Sequence, residues 1–380
     1  MLYFEEKMKE DARKYNYLLF LYNATHPKPF CSSPPHQVYI EATNSCNLKC
    51  AHCPQHTMRR ERTQLMSLKL FKKIVEELAP YQPFVDLYLQ GESLIHPEIV
   101  TMVSIARQHG LLPRITTNTT ILSKKKSQAL IDVGLDKVEF SMSGASKKTY
   151  DSIYHGAAFE KTLQNMLDFL EANGARGFPV HTRSVFVEEE KTIHEKDKYL
   201  KYFALLPLDD VYVSPLINMF GWNKEMDLNP FKKLPREQWP VCKTPWRQFG
   251  INADGTVRSC IFDYDSRYLI GDANNVNVME LWNGPQMQNF RKTIIEKRYE
   301  DFDKPGLPLC TECSQIWPTS PLSDTTQLPK DFLGESETFL KNESGAFKAK
   351  YADKHEKEKK LEYLKNNRKK WMDEVLADVN

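Results

Sequence analysis

The sequence predicts an α/β fold: a partial (β/α)6 barrel over about residues 37–215, followed by a small α+β module that begins at residue 242. Three observations predict it. Runs of β-formers alternate with helical patterns along the first half of the chain. Cys46, Cys50 and Cys53 stand together on the loop that leaves the first strand. Cys242, Cys260, Cys310 and Cys313 are spread around a second, hairpin-bearing segment.

The elements follow in order. Gln37–Thr43 alternates apolar and polar side chains and reads as the first strand. In Met66–Leu78 the residues Leu70, Phe71, Ile74, Val75 and Leu78 recur at helical spacing. Phe84–Leu89 is a strand and Pro97–His109 a helix; Arg114–Thr117 is a strand and Lys124–Val133 a helix. Lys137–Met142 is a strand and Phe159–Asn173 a helix; Val180–Val187 is a strand and His194–Ala204 a helix. Asp210–Val213 closes the series. Such alternation implies parallel pairing with right-handed crossovers, and ligands then gather at the carboxyl ends of the strands.

Cys46, Cys50 and Cys53 are spaced Cys-x3-Cys-x2-Cys. Structural zinc sites and ordinary electron-transfer clusters are normally closed by four protein ligands. Three thiolates on a [4Fe–4S] cube leave one iron open to a cosubstrate. Spacing alone also admits a zinc knuckle or buried thiols on an unrelated turn. With its position after the first strand, the motif resembles the radical S-adenosylmethionine (SAM) superfamily. The resemblance implies that SAM chelates the open iron and is reductively cleaved to a 5′-deoxyadenosyl radical.

Further turns carry the same resemblance. Gln90-Gly91-Glu92-Ser93 follows the second strand where the family commonly has Gly-Gly-Glu-Pro. By resemblance, Gly91 lets the backbone approach the ligand and Glu92 accepts from the SAM ammonium. Thr117-Asn118-Thr119 resembles a Thr-Asn-Gly turn, so Asn118 is a candidate ribose or carboxylate contact, or simply a turn asparagine. Ser141-Met142-Ser143-Gly144 resembles a Ser-x-Asp-Gly turn. It makes Ser141 and Ser143 candidate SAM contacts, with Ser143 in place of the usual Asp. His52 occupies the usual aromatic position before the third cysteine and could lie near the adenine.

Asp254-Gly255 between two alternating runs is a hairpin signal, with Cys242 just before a two-stranded ribbon and Cys260 at its end. A helix with Met279, Leu281, Trp282, Met287, Phe290 and Ile294 comes next, and then the close pair Cys310 and Cys313. Four thiolates close either a zinc tetrahedron or a second [4Fe–4S] cube, and spacing alone favours zinc. The pattern resembles the SPASM module in its shortened Twitch form, which implies an auxiliary [4Fe–4S] cluster on these four residues.

The chain has 380 residues, eight cysteines and a formal net charge of +2. Seven of the eight cysteines are placed as ligands, which leaves no disulfide framework and points to a reducing, cytoplasmic setting. The small net charge gives no electrostatic argument for nucleic acid. Tyr17–Tyr22 is too short to span a bilayer, and its acidic lead (Glu5, Glu6, Glu10, Asp11) is wrong for a signal peptide, so residues 1–36 read as an N-terminal helical extension. Residues 216–241 form an aromatic bridge with Phe220, Trp222, Phe231 and Trp239, read as substrate-lining or as a plain linker. The module spans 242–318. Residues 319–380 end in a charged helix with Leu361, Leu364, Arg368, Met372 and Val375 along one face, which packs on the body or docks a partner.

The resemblance implies hydrogen abstraction from a substrate C–H bond and a reducing partner of flavodoxin or ferredoxin type. Oxidation or epimerisation of a carbohydrate-like small molecule leads; peptide modification is the alternative, and an iron–sulfur or zinc binding protein without activity is the opposing class. Epimerisation calls for a hydrogen donor. Cys31 is the one cysteine outside the ligand sets, and its place before the first strand favours oxidation.

Overall fold

The structure, a computed structural model, describes residues 12–57, 63–217, 232–303, 309–314 and 353–377. Its strands are β1 (Gln37–Ile40), β2 (Phe84–Asp86), β3 (Leu112–Thr117), β4 (Lys137–Ser141), β5 (His181–Glu188), β6 (Asp210–Pro215), β7 (Gln248–Ile251), β8 (Thr256–Arg258) and β9 (Leu269–Asp272). The fold is mixed α/β with parallel strands at β1–β6, as an unclosed barrel requires. The chain divides into two compact units: Met1–Thr116 with Val133–Leu135 and Ile217–Pro318, and Thr117–Asp132 with Asp136–Leu216 and Thr319–Asn380.

In the first unit the strands run β3-β2-β1-β7-β8-β9. β1 pairs in parallel with β2, Val38 opposite Val85, and on its other side with β7, Val38 opposite Phe249. β7, β8 and β9 are antiparallel. The expected two-stranded ribbon is thus a three-stranded extension whose first strand lies against β1. All four β7 residues are buried, which is the pattern of a strand covered on both faces. The helix Leu68–Leu78 buries Leu70, Phe71, Ile74, Val75 and Leu78, the stripe its periodicity predicts, and the Ser67 hydroxyl accepts from Leu70 N to cap it. The N-terminal helix Ala12–Thr25 buries Leu18, Phe20 and Leu21; Arg13 Nη2 donates to the Gly110 carbonyl at 2.6 Å. Its acidic lead lies outside the described residues.

The second unit carries β4-β5-β6, in register at Val138 with Thr182 and Ser184 with Val211. Phe140 packs edge-on against Phe169 of the helix Phe159–Gly174, at 5.6 Å between centroids. A short helix, Lys147–Ile153, was not apparent from periodicity; the Ser146 hydroxyl caps it. The charged terminal helix, Lys354–Leu376, buries Lys357, Leu361, Leu364, Trp371 and Val375. Trp371, not Met372, completes the stripe, because steps of three and four from Leu364 through Arg368 reach position 371. Its Nε1 donates to the Tyr202 carbonyl at 2.9 Å, while Arg368 bridges Asp168 at 2.6 Å and Glu171 at 2.8 Å. The helix is therefore a packed part of this unit.

Phe220, Trp222 and Phe231 of the bridge, and residues 319–352, lie outside the described residues. Trp239 is buried, with Nε1 donating to the Leu234 carbonyl at 3.2 Å and Arg236 stacked at 3.6 Å from its ring. It packs the linker against Tyr299, with 5.6 Å between ring centroids. No helix among the described residues is long and apolar enough to cross a membrane.

Candidate active site and auxiliary cluster site

Leaving β1, the backbone turns through Thr43, Asn44 and Ser45 into the cysteine loop. Cys46, Cys50, Cys53 and His52 are half-buried. A turn closed by Cys53 N donating to the Cys50 carbonyl at 3.1 Å folds the loop, and buried Leu48 anchors it. Burial pushes the Cys50 thiol up, and the nearby Cys53, Cys46 and Glu92 push it the same way. The structure thus brings together the three predicted thiols and the predicted carboxylate. Crowded acidic groups of this kind favour occupation by a cation, which reverses the penalty of ionising them.

Glu92 is 2 % exposed. Its backbone N–H donates to the Ser45 carbonyl at 2.7 Å, and one carboxylate oxygen accepts from Leu94 N at 3.1 Å. Gly91 has φ +75°, and an added Cβ would stand 2.5 Å from the Ser45 carbonyl oxygen and 2.7 Å from the Asn44 carbonyl carbon. The glycine admits the backbone of the cysteine loop, where the sequence suggested the approach of a ligand. Gln90 Nε2 donates to the Tyr264 carbonyl at 3.0 Å. Ser93 donates to the Leu87 carbonyl and so fixes the turn from the other end.

The remaining predicted SAM contacts lie at strand ends of the second unit. Asn118 Oδ1 accepts from Thr120 N at 3.0 Å and Thr120 Oγ1 at 2.7 Å, so its carbonyl closes its own turn. Thr119 holds φ +68°, the left-handed conformation for which the corresponding family turn uses glycine. Ser141, at the end of β4, is half-buried. Ser143 is fully buried, and its Oγ accepts from Tyr154 OH at 3.0 Å and Val187 N at 3.0 Å. Its hydroxyl oxygen is thereby held within the turn. No local pattern singles out Glu195. It is 1 % exposed, accepts from Ala145 N at 2.6 Å and from the Ser146 hydroxyl, and holds the same turn.

The second thiol set also converges. Cys260, Cys310 and Cys313 are buried and Cys242 is half-buried. Burial raises the Cys310 thiol well above its ordinary range, and Cys313, Cys260 and Cys242 add to the shift. Cys260 is raised by burial and then by Cys242 and Cys313. Tyr299 OH accepts from Cys242 N at 3.3 Å and donates to the Pro240 carbonyl at 2.6 Å. Asp303 accepts from Leu309 N at 2.6 Å and from Thr311, shaping the turn that carries the last pair. No group of three or more His, Cys, Asp or Glu side chains among the described residues is already arranged around a single-ion position.

Tyr264, also unflagged by the sequence, comes from the loop after Cys260. Burial raises its phenol and the Cys53 thiol adds to the shift, so the loop of the second thiol set reaches the first. Cys31 is 1 % exposed, with Sγ 3.2 Å from Ser33 Oγ. Its backbone is held at both ends by Asn283, at 2.9 Å each.

Two family models match the chain: the radical SAM superfamily over residues 40–195, and the SPASM iron–sulfur cluster-binding domain over residues 242–314. Residues 40–195 are thus a radical SAM domain, and a SPASM-type iron–sulfur cluster-binding domain follows it. Among its curated relatives is the tungsten-containing aldehyde ferredoxin oxidoreductase cofactor-modifying protein of Pyrococcus furiosus, 26% identical over 73% of this chain and 86% of that protein. Another is the SAM-dependent 2-deoxy-scyllo-inosamine dehydrogenase of Niallia circulans, 20% identical over 73% of this chain and 92% of that protein. Among solved structures, anSMEcpe with bound AdoMet superposes with a TM-score of 0.55 at 16% identity, over 87% of this chain and 99% of that one. These domains imply a [4Fe–4S] cluster, SAM and auxiliary iron–sulfur binding. The donor sets fit: three thiols beside Glu92, and four thiols in the second domain.

Proposed function

We propose that the chain cleaves SAM reductively and uses the resulting 5′-deoxyadenosyl radical to oxidise a carbohydrate-like small molecule at a C–H bond. When bound, the cofactors supply the hard chemistry: an electron to break SAM, and a second centre able to take up the electron that an oxidation releases. The chain's own residues position them. Cys46, Cys50 and Cys53 hold the first cluster. Glu92 accepts from the SAM ammonium. Cys242, Cys260, Cys310 and Cys313 hold the auxiliary cluster. An electron donor of flavodoxin or ferredoxin type feeds the reaction.

The observation that carries this reading is that Cys46, Cys53 and the buried Glu92 stand near enough to Cys50 to push its thiol up, with a second set of four thiols in the same unit. Oxidation is favoured over epimerisation because Cys31, the spare thiol, is buried and hydrogen-bonded and is not presented as a hydrogen donor. A small-molecule substrate is favoured by the reach of the likeness. The inosamine dehydrogenase is matched over 92% of its length, whereas two PqqA peptide cyclases are matched over 44% and 48% of theirs. The test is product mass and hydrogen tracing. Metabolite fractions are incubated anaerobically with enzyme, SAM and dithionite. A product two hydrogens lighter than its substrate, with substrate deuterium transferred into 5′-deoxyadenosine, is expected. A product of unchanged mass carrying one solvent deuterium would replace oxidation by epimerisation, and a modified peptide would replace the substrate class.

A further inference from the structure

We infer that the buried Glu41–Arg258 pair is a positioning device for the auxiliary site: it fixes the turn that begins at Cys260 against the β1 exit leading to Cys46, and it lays a permanent cation on that turn. This rests on the reading that Cys242, Cys260, Cys310 and Cys313 hold a redox-active cluster.

The geometry is a chain of buried groups. Glu41 and Arg258 are both 0 % exposed, with Nη2 and Oε1 3.5 Å apart. The other Glu41 oxygen accepts from Ala253 N at 3.0 Å, and Glu41 N donates to the Ile251 carbonyl at 2.9 Å. Arg258 Nε donates to Asn252 Oδ1 at 2.8 Å, and Nη1 donates to the Asp263 carbonyl at 2.8 Å. Asp263 N in turn donates to the Cys260 carbonyl at 3.1 Å. Room for the arginine comes from Gly250, where a Cβ would stand 3.1 Å from Arg258 Cγ and 2.8 Å from Leu89 Cδ2. The guanidinium fork thus ties three pieces together: the strand end five residues before Cys46, the β7–β8 hairpin, and the turn that starts at an auxiliary ligand.

A buried ion pair is a poor general stabiliser, because desolvation offsets most of the attraction. Its charges nonetheless act strongly on their surroundings. The turn also carries the fully buried Asp263 carboxyl group, whose Oδ2 accepts from Tyr268 N at 2.8 Å. A cluster on four thiolates is anionic and gains a further negative charge on reduction, so net local charge sets its potential. Arg258 places its charge on the auxiliary side, while Glu41 places its own at the β1 exit. The arrangement favours an electron on the auxiliary centre, the direction an oxidation requires.

Three reconstituted holoenzymes test this: Arg258→Met, Arg258→Lys and the double variant Glu41→Gln/Arg258→Met. Melting temperature, iron content and the auxiliary midpoint potential are read, the last by EPR-monitored titration. Arg258→Met should melt lower, because Glu41 is left buried and unpaired. The double variant should recover most of that loss and keep its full iron content. Its auxiliary potential should still be more negative than native, because the cation on the turn is lost. Arg258→Lys should stay nearer the native potential. A native potential in the double variant would overturn the inference, as would a Lys variant as negative as the Met variant. If Arg258→Met does not fold, the double variant decides alone. Zinc in place of a second EPR-active centre in the native enzyme would overturn both this inference and the cluster reading; an unchanged potential overturns the inference only.

Discussion

Gly91 and Ser45 are in such close register that a single methyl group on Gly91 would lie 2.5 Å from the Ser45 carbonyl oxygen. The turn bearing Glu92 and the loop bearing Cys46 are therefore one packed body. Glu92 N donates to the same Ser45 carbonyl at 2.7 Å, which couples carboxylate placement to cluster-loop placement through the backbone.

Gly91→Ala should accordingly act on both. The clash is with main-chain atoms that cannot swing away, and φ +75° adds strain for any side chain. Overpacking of this kind costs roughly 1–3 kcal/mol, and the left-handed conformation about 1–2 more. Calorimetry should show a lower melting temperature, and SAM titration a weaker complex. Unchanged values in both would show that the two segments are not in contact.

Glu92→Ala should separate the roles. Iron content should stay native, while SAM affinity falls by about tenfold or more, the scale of a hydrogen bond to a charged group. Native SAM affinity would mean that the turn after β2 does not meet the ammonium.

The buried thiols predict a pH dependence for the cluster-free protein. Folding raises the Cys260 and Cys310 pKa values by burial and then by neighbouring thiols. A group raised on folding contributes stability that is present below its unfolded pKa, about 8.5 for Cys, and is lost as pH rises beyond it. The melting temperature of apoprotein should therefore fall between about pH 8 and 10, and that of cluster-loaded protein should fall less, since its thiols are already deprotonated. Parallel curves for the two forms would contradict the placement of these cysteines as ligands.

Trp371→Ala should destabilise the second unit by about 3–5 kcal/mol, the usual cost of truncating a buried aromatic. Trp371 is 1 % exposed and bonded to the Tyr202 carbonyl. Denaturant unfolding checks it; a loss below about 1 kcal/mol would return the terminal helix to a solvated role.

Much of this was legible in the sequence because it rests on local patterns. The Leu70–Leu78 stripe, each strand or helix of the alternation and the Cys46–Cys53 loop need only a few neighbouring residues to be recognised, whereas the second cysteine set, spread from Cys242 to Cys313, is read by its resemblance to a known module. What escaped depends on long-range partners. Glu195 looks like any acid at a helix start until Ala145 and Ser146 are found against it. The bonds that Ser143 Oγ accepts from Tyr154 and Val187 are likewise invisible before the fold is known. The pairing of β7 with β1 joins residues more than 200 apart in sequence, and no local signal encodes such a register. Arg258 and Glu41 are alike in this respect, since only the fold makes them a pair.

The most direct measurement is SAM cleavage by the anaerobically reconstituted chain, with iron and zinc counted in the same sample. Two cubes predict about eight irons per chain by ligand counting. They also predict 5′-deoxyadenosine on addition of dithionite, abolished when Cys46, Cys50 and Cys53 are replaced by Ala. About four irons with zinc at the second site would remove the auxiliary cluster from the account. An iron-loaded protein that forms no 5′-deoxyadenosine with SAM and dithionite would contradict its central claim.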